Sequence, residues 1–178
     1  MKLRTHHQGD NEEIKRLFTR TFSDSEGPSE GLLIGNLACD LLTITDPQDY
    51  YCFVATENEQ IAGSIIFSRL TFESDVNAFL LAPVAVHTSY QGKGTGQKLI
   101  NFGLNNLKER GVELVFTYGD PKFYAKVGFR PISEEIVKAP FVLTHPEGWL
   151  AQSLVSAEID PIPGNSNCVE AFNKPEYW

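Results

Sequence analysis

The six residues Gln91-Gly92-Lys93-Gly94-Thr95-Gly96 form the stretch of this chain best suited to hold an anion. Alternate glycines strip side chains from the loop, so backbone N–H groups can close on a negative group. An amphipathic run follows, with Leu99, Ile100, Gly103, Leu104 and Leu107 on one face. The unpaired N–H groups and positive dipole end of that helix would point at whatever the loop holds. A diphosphate fits such a cradle. A P-loop needs the register G-x-x-x-x-G-K-[ST], which Lys98 misses by following Gln97, and a dinucleotide fingerprint needs glycine where Gln97 stands. What remains is Gln/Arg-x-x-Gly-x-Gly/Ala, met by Gln91, Gly94 and Gly96. The plainer alternative is a glycine turn that merely lets strand and helix pack closely.

A phenol supplies the second candidate chemistry. In Gly119-Asp120-Pro121-Lys122-Phe123-Tyr124-Ala125-Lys126-Val127-Gly128-Phe129, Asp120 caps a short helix, Pro121 takes its first position and Gly128 ends it. Tyr124 on that helix can donate a proton, or simply pack. His87 reads as a turn residue, and Cys39 and Cys52 as core. A Cys–His hydrolase would lack its third member.

The elements that must position these groups alternate in type. Ala78–Val86 carries no charge, as a strand buried on both faces requires. Before it come a helix from Asp10 to Phe22, a break at Ser23–Pro28, a helix from Ser29 to Asp46-Pro47, and strands Tyr51–Ala55 and Ile61–Phe67 around a polar turn. After it, Gln97–Arg110 is a helix closed by Gly111, and Val112–Tyr118 is a strand parallel to Ala78–Val86 through a right-handed crossover. Phe141–Leu143 and Ser153–Ala157 read as further strands. From about residue 161 the chain is rich in proline and asparagine and is expected to be loosely structured.

A length of 178 residues suits one domain with one core, here 1–178. The net charge of −8 speaks against nonspecific binding to nucleic acid or anionic membranes and is compatible with a cationic acceptor. Three scattered cysteines build neither a disulfide framework nor a zinc site, and no apolar run reaches membrane-spanning length. A cytoplasmic protein without a metal is expected.

Taken together, the Gln91–Gly96 loop and Tyr124-Ala125-Lys126-Val127-Gly128-Phe129 downstream resemble the GNAT superfamily of acetyl-CoA-dependent N-acetyltransferases. The Gly-Asp-Pro-x-x-Tyr and Leu-Ala-Pro-Val-Ala-Val variants look like a bacterial branch of predicted acetyltransferases. The resemblance covers about two-thirds of the chain and implies an α/β fold. That fold has a single mixed, mostly antiparallel sheet, one splayed parallel strand pair and helices on both faces. It implies transfer of acetyl from acetyl-CoA to an amine of a small molecule, peptide or protein, by direct attack. Gln91, Gly92, Lys93, Gly94, Thr95 and Gly96 would bind the diphosphate and Val86 the pantetheine arm. Val84 would offer its N–H to the thioester oxygen, and Tyr124 would protonate the leaving thiolate. A bulge beside Pro83 would open the strand pair. Leu80 stands where some members carry a catalytic Glu, so no base is assigned; Glu26, Glu30, Glu73 and Asp75 are the carboxylates within the relevant segments. The rival function is a non-catalytic acyl-CoA sensor.

Overall fold

Seven strands form one mixed sheet in the order β1-β2-β3-β4-β5-β7-β6, and the computed structural model describes every residue from Met1 to Trp178. In chain order the elements are β1 (Lys2–Thr5), α1 (Asn11–Glu26), α2 (Pro28–Thr43), β2 (Tyr50–Glu57), β3 (Gln60–Leu70) and β4 (Ala78–Val86). They continue with α3 (Thr95–Glu109), β5 (Leu114–Tyr118), α4 (Pro121–Ala125), β6 (Arg130–Pro131) and β7 (Trp149–Ser153). The β4–β5 pair is parallel; β1–β2, β5–β7 and β6–β7 are antiparallel. The expected α/β fold with one parallel pair is present.

Backbone contacts divide the chain into two compact units. The first comprises Met1–Phe67 and Pro83–Gly103. In it α1 buries Ile14, Leu17 and Phe18. The helix runs through Ser23–Glu26, where a break was expected, and stops only at Gly27 with φ 98°. Pro28 then starts α2, where a fixed φ and a missing N–H cost nothing. Asn58 and Glu59 both adopt positive φ, as a tight two-residue hairpin turn between β2 and β3 demands. On β3, Gly63, Ile65 and Phe67 meet α3: a Cβ on Gly103 would lie 2.6 Å from the Phe67 ring.

Two more glycines set the spacing of α1 and α2. A Cβ on Gly31 would collide with Ser23 Oγ and the Thr19 carbonyl, and one on Gly35 with Thr19 Oγ1. Gly31→Val is therefore expected to lower stability by about 1–3 kcal/mol through overpacking, read as a lower urea midpoint at unchanged slope. A midpoint equal to that of the parent would show that the two helices separate freely.

The second unit comprises Ser68–Ala82 and Leu104–Trp178. Its core gathers Phe79, Val115, Phe116, Phe129 and Trp149, with Trp149 stacked on Phe116 at 5.2 Å. Three sequence expectations fail here. Phe141–Leu143 is not a strand: Phe141 stacks on Trp178 and Thr144 Oγ1 donates to the Trp178 carbonyl, so side-chain packing replaces a ladder. The strand expected at Ser153–Ala157 lies earlier, at Trp149–Ser153, where Leu114↔Ser153 through Tyr118↔Trp149 pair. The tail is not loose. Asn167 exchanges two 2.9 Å backbone bonds with Thr71, Ser166 Oγ donates to Lys138 O at 2.6 Å, and Phe172 and Trp178 are buried.

Candidate active site

The loop that follows β4 is fixed by its own side chains. Gln91 Nε2 donates to the Val86 carbonyl at 2.9 Å, folding the loop back on the strand end. Lys93 Nζ donates to Ser89 O at 2.9 Å and sits 5.6 Å from the Tyr90 ring centre, so its ammonium braces the turn. His87 Nδ1 accepts from the Ser89 N–H, which makes His87 the turn residue it was read to be.

Gly92 and Gly94 adopt φ of 71° and 78°, the left-handed region that side chains disfavour. A Cβ built on either would meet no heavy atom within 4 Å. The loop is thus open above both residues, and a left-handed turn of this kind aims successive N–H groups at one point. Thr95, buried, opens α3, and the Gly94 carbonyl accepts from Lys98 N–H at 3.0 Å. The first N–H groups of α3 have no intrahelical acceptor. Backbone donors and helix dipole together suit a diphosphate.

Strand β4 pairs with β3 on one side and β5 on the other. Gly63 faces Val86 across the β3–β4 pair, with His87 N–H bonded to the Ala62 carbonyl. Further along, Arg69 lies over the Phe79 ring at 4.6 Å and reaches Asn77. The parallel ladder with β5 ends at Leu81↔Thr117, two residues before Pro83, whose missing N–H cannot extend it. From Ala82 onward burial alternates, with Val84 and Val86 half-buried and Pro83 and Ala85 buried.

Tyr124 is held by a different set of residues. Asp120 caps α4 by accepting from Lys122 N–H at 2.9 Å. The Tyr124 carbonyl accepts from Val127 and Phe129, and its ring stands edge-on to Phe123 and Phe129. A Cβ on Gly119 would lie 2.8 Å from that ring, so glycine is what gives the ring its place. Burial pushes the Tyr124 phenol up to about 12, and the Asp120 carboxylate acts in the same direction. Thr117, which hydrogen-bonds Tyr124, donates its own proton to Leu81 O at 2.7 Å. The Thr117 hydrogen bond opposes the rise without offsetting the burial. Thr117 and Gly119 were not among the sequence candidates. A polar residue inside the apolar strand Leu114–Tyr118 was the signal available.

Leu80 is buried and apolar. Glu26, Glu73 and Asp75 are exposed, and the Glu73 carboxylate packs against Gly164. No carboxylate is marked as a base. No cluster of three or more His, Cys, Asp or Glu side chains gathers in the fold, and no helix is long and apolar enough to cross a membrane.

Comparison with known proteins bears on these features. The acetyltransferase (GNAT) domain profile matches residues 48–131, which include the glycine loop and Tyr124. The Escherichia coli K12 protein named uncharacterized N-acetyltransferase YjhQ is 28% identical over 169 residues, 92% of this chain and 89% of that one. YhbS from the same strain, also named an uncharacterized N-acetyltransferase, is 34% identical over 119 residues, 65% of each chain. The crystal structure of Escherichia coli YhbS in complex with CoA superposes with a TM-score of 0.84 at 26% identity, over 97% of this chain and 92% of that one. A GNAT family acetyltransferase from Brucella melitensis, in complex with acetyl-CoA, shares the fold at a TM-score of 0.76 and 22% identity, over 97% of both chains.

Proposed function

Because this chain belongs to the GNAT superfamily of acetyltransferases, we propose that it moves acetyl from acetyl-CoA to a primary amine by direct attack. The observation that carries the reading is the open glycine loop at the start of α3, with Gly92 and Gly94 left-handed and unobstructed. Gln91 to Gly96 would receive the diphosphate through backbone N–H groups, and Val86 the pantetheine arm. The neutral amine attacks the thioester carbon, a C–N bond forms and the C–S bond breaks. The Val84 N–H would stabilise the oxyanion that develops. The ammonium formed by attack loses its proton to water, since no base is assigned. Acceptors of this chemistry include amines of small molecules, peptides and proteins.

Tyr124 would meet the departing thiolate. At about 12 its phenol is roughly three units more basic than an ordinary thiolate, so complete proton transfer is uphill. Its main service is a charge-assisted hydrogen bond, worth about 1.5–3 kcal/mol. Tyr124→Phe keeps the ring and its packing, and single-turnover transfer is expected to slow roughly 10- to 100-fold at unchanged coenzyme A affinity. Transfer at the parental rate would reduce Tyr124 to a packing residue. The sign with pH follows: the phenol stays protonated up to about 12, so its ionisation imposes no fall in rate near pH 10. The rate should instead rise with pH as more acceptor amine is neutral.

A screen of amines for acetyl-CoA-dependent thiol release tests the reading as a whole. Release with at least one amine supports it. Coenzyme A binding without transfer to any amine would favour the acyl-CoA sensor.

A further inference from the structure

We propose that Thr117 is a positioning residue for acetyl transfer, the group that aims the Tyr124 hydroxyl from an anchor on the Leu81 carbonyl. The inference rests on the acetyl-transfer reading and adds to it a residue that acts through Tyr124.

The first observation is a buried hydroxyl that packing does not call for. Thr117 is fully buried in β5, where Leu114, Val115 and Phe116 are buried too. Valine would fill nearly the same space without a polar group, and a buried hydroxyl costs stability unless it finds partners. Thr117 has two. Its Oγ1 donates to the Leu81 carbonyl at 2.7 Å, and it hydrogen-bonds the Tyr124 phenol. A hydroxyl carries one proton and two acceptor lone pairs, so one threonine holds both partners at once.

The second observation is where the anchor lies. Leu81↔Thr117 is the last pair of the parallel ladder, so the carbonyl that takes the Thr117 proton belongs to backbone held by the pairs before it. Leu81, Thr117 and Tyr124 all belong to the unit of Ser68–Ala82 and Leu104–Trp178. The third is what the other contacts of Tyr124 leave free. Phe123 and Phe129 meet its ring edge-on, with centres 5.0 and 5.7 Å away, and the space left by Gly119 receives the ring edge. Those contacts fix the ring plane, whereas a hydrogen bond fixes the direction of the hydroxyl. The same bond opposes the rise that burial imposes on the phenol, so Tyr124 stays a better donor to a thiolate than burial alone would leave it.

The test compares Thr117→Val and Thr117→Ser in the full chain, each alone and combined with Tyr124→Phe. Thr117→Val should slow single-turnover acetyl transfer roughly 2- to 10-fold at unchanged coenzyme A affinity, the loss expected for one hydrogen bond. Thr117→Ser keeps the hydroxyl and should recover the parental rate. Once Tyr124 is phenylalanine, Thr117→Val should cost nothing further, whereas a purely structural role would slow both backgrounds alike. A readout without catalysis is the Cζ resonance of Tyr124 in protein labelled at the tyrosine Cζ, assigned by its loss in Tyr124→Phe. It should shift in Thr117→Val and return in Thr117→Ser. An unmoved resonance would overturn the proposal whatever the rates, as would equal slowing in both backgrounds or no recovery by serine. A parent that transfers to no amine overturns the acetyl-transfer reading instead, and the resonance then still decides whether Thr117 holds the phenol.

Discussion

Gly94→Glu is expected to abolish coenzyme A binding while leaving the protein folded. Gly94 sits at φ 78° with no heavy atom within 4 Å of its missing Cβ, so the new side chain has room to stand over the loop. Left-handed backbone costs a non-glycine residue roughly 1–2 kcal/mol. The larger effect is charge. A carboxylate about 4 Å from a phosphate, at an effective dielectric near 20, is repelled by roughly 4 kcal/mol, or about a thousandfold in affinity. Gly94→Ala carries only the backbone penalty and should lose roughly tenfold. Calorimetry with coenzyme A separates the two, and the melting temperature of the parent should rise with ligand while that of Gly94→Glu stays flat. If the glutamate and alanine variants bind alike, the loop does not face the diphosphate.

The largest expected loss of stability comes from Trp178→Ala. Trp178 is 4% exposed, with its ring beside Tyr118, Phe141, Trp149 and Phe172. Its Nε1 donates to Phe172 O at 3.1 Å, and its carbonyl accepts from Thr144 at 2.7 Å. Removing a buried tryptophan costs about 3–5 kcal/mol. In a chain of this length that is a fall of roughly 6–20 °C in melting temperature. Val142→Ala is the control: Val142 is 93% exposed and should change stability by less than about 0.5 kcal/mol. A Trp178→Ala melt matching that control would mean that the aromatic cluster carries no load.

Trp178 also shows where sequence reading runs out. The glycine loop, the α4 cap and Gly128 were legible because each is a local device, in which neighbouring residues dictate the backbone. The tail has no such device between Asp160 and Trp178. It is ordered by contacts made far away in sequence, Asn167 with Thr71 and Ser166 with Lys138. β1 was missed because four residues carrying Lys2 and Arg4 show no apolar run, although Arg4 is clamped to Asp10 at 2.7 and 3.0 Å. The site divides in the same way. Tyr124 could be named from spacing, whereas the state of its proton could not. That depends on burial, which only the assembled fold supplies.

The packing of the two tryptophans has an optical consequence. Trp149 and Trp178 are the only two in the chain, both buried, with ring centres 6.2 Å apart. Both belong to the unit of Ser68–Ala82 and Leu104–Trp178. Emission excited selectively at tryptophan should therefore lie at short wavelength and report on that unit alone. The unit that carries Gln91–Gly94 is dark at this excitation and is followed only through far-ultraviolet dichroism, to which both units contribute. Heating the protein while following both signals asks whether the units melt together: a shared midpoint means one cooperative transition, and dichroism lost before the emission shifts means that the loop-bearing unit unfolds first.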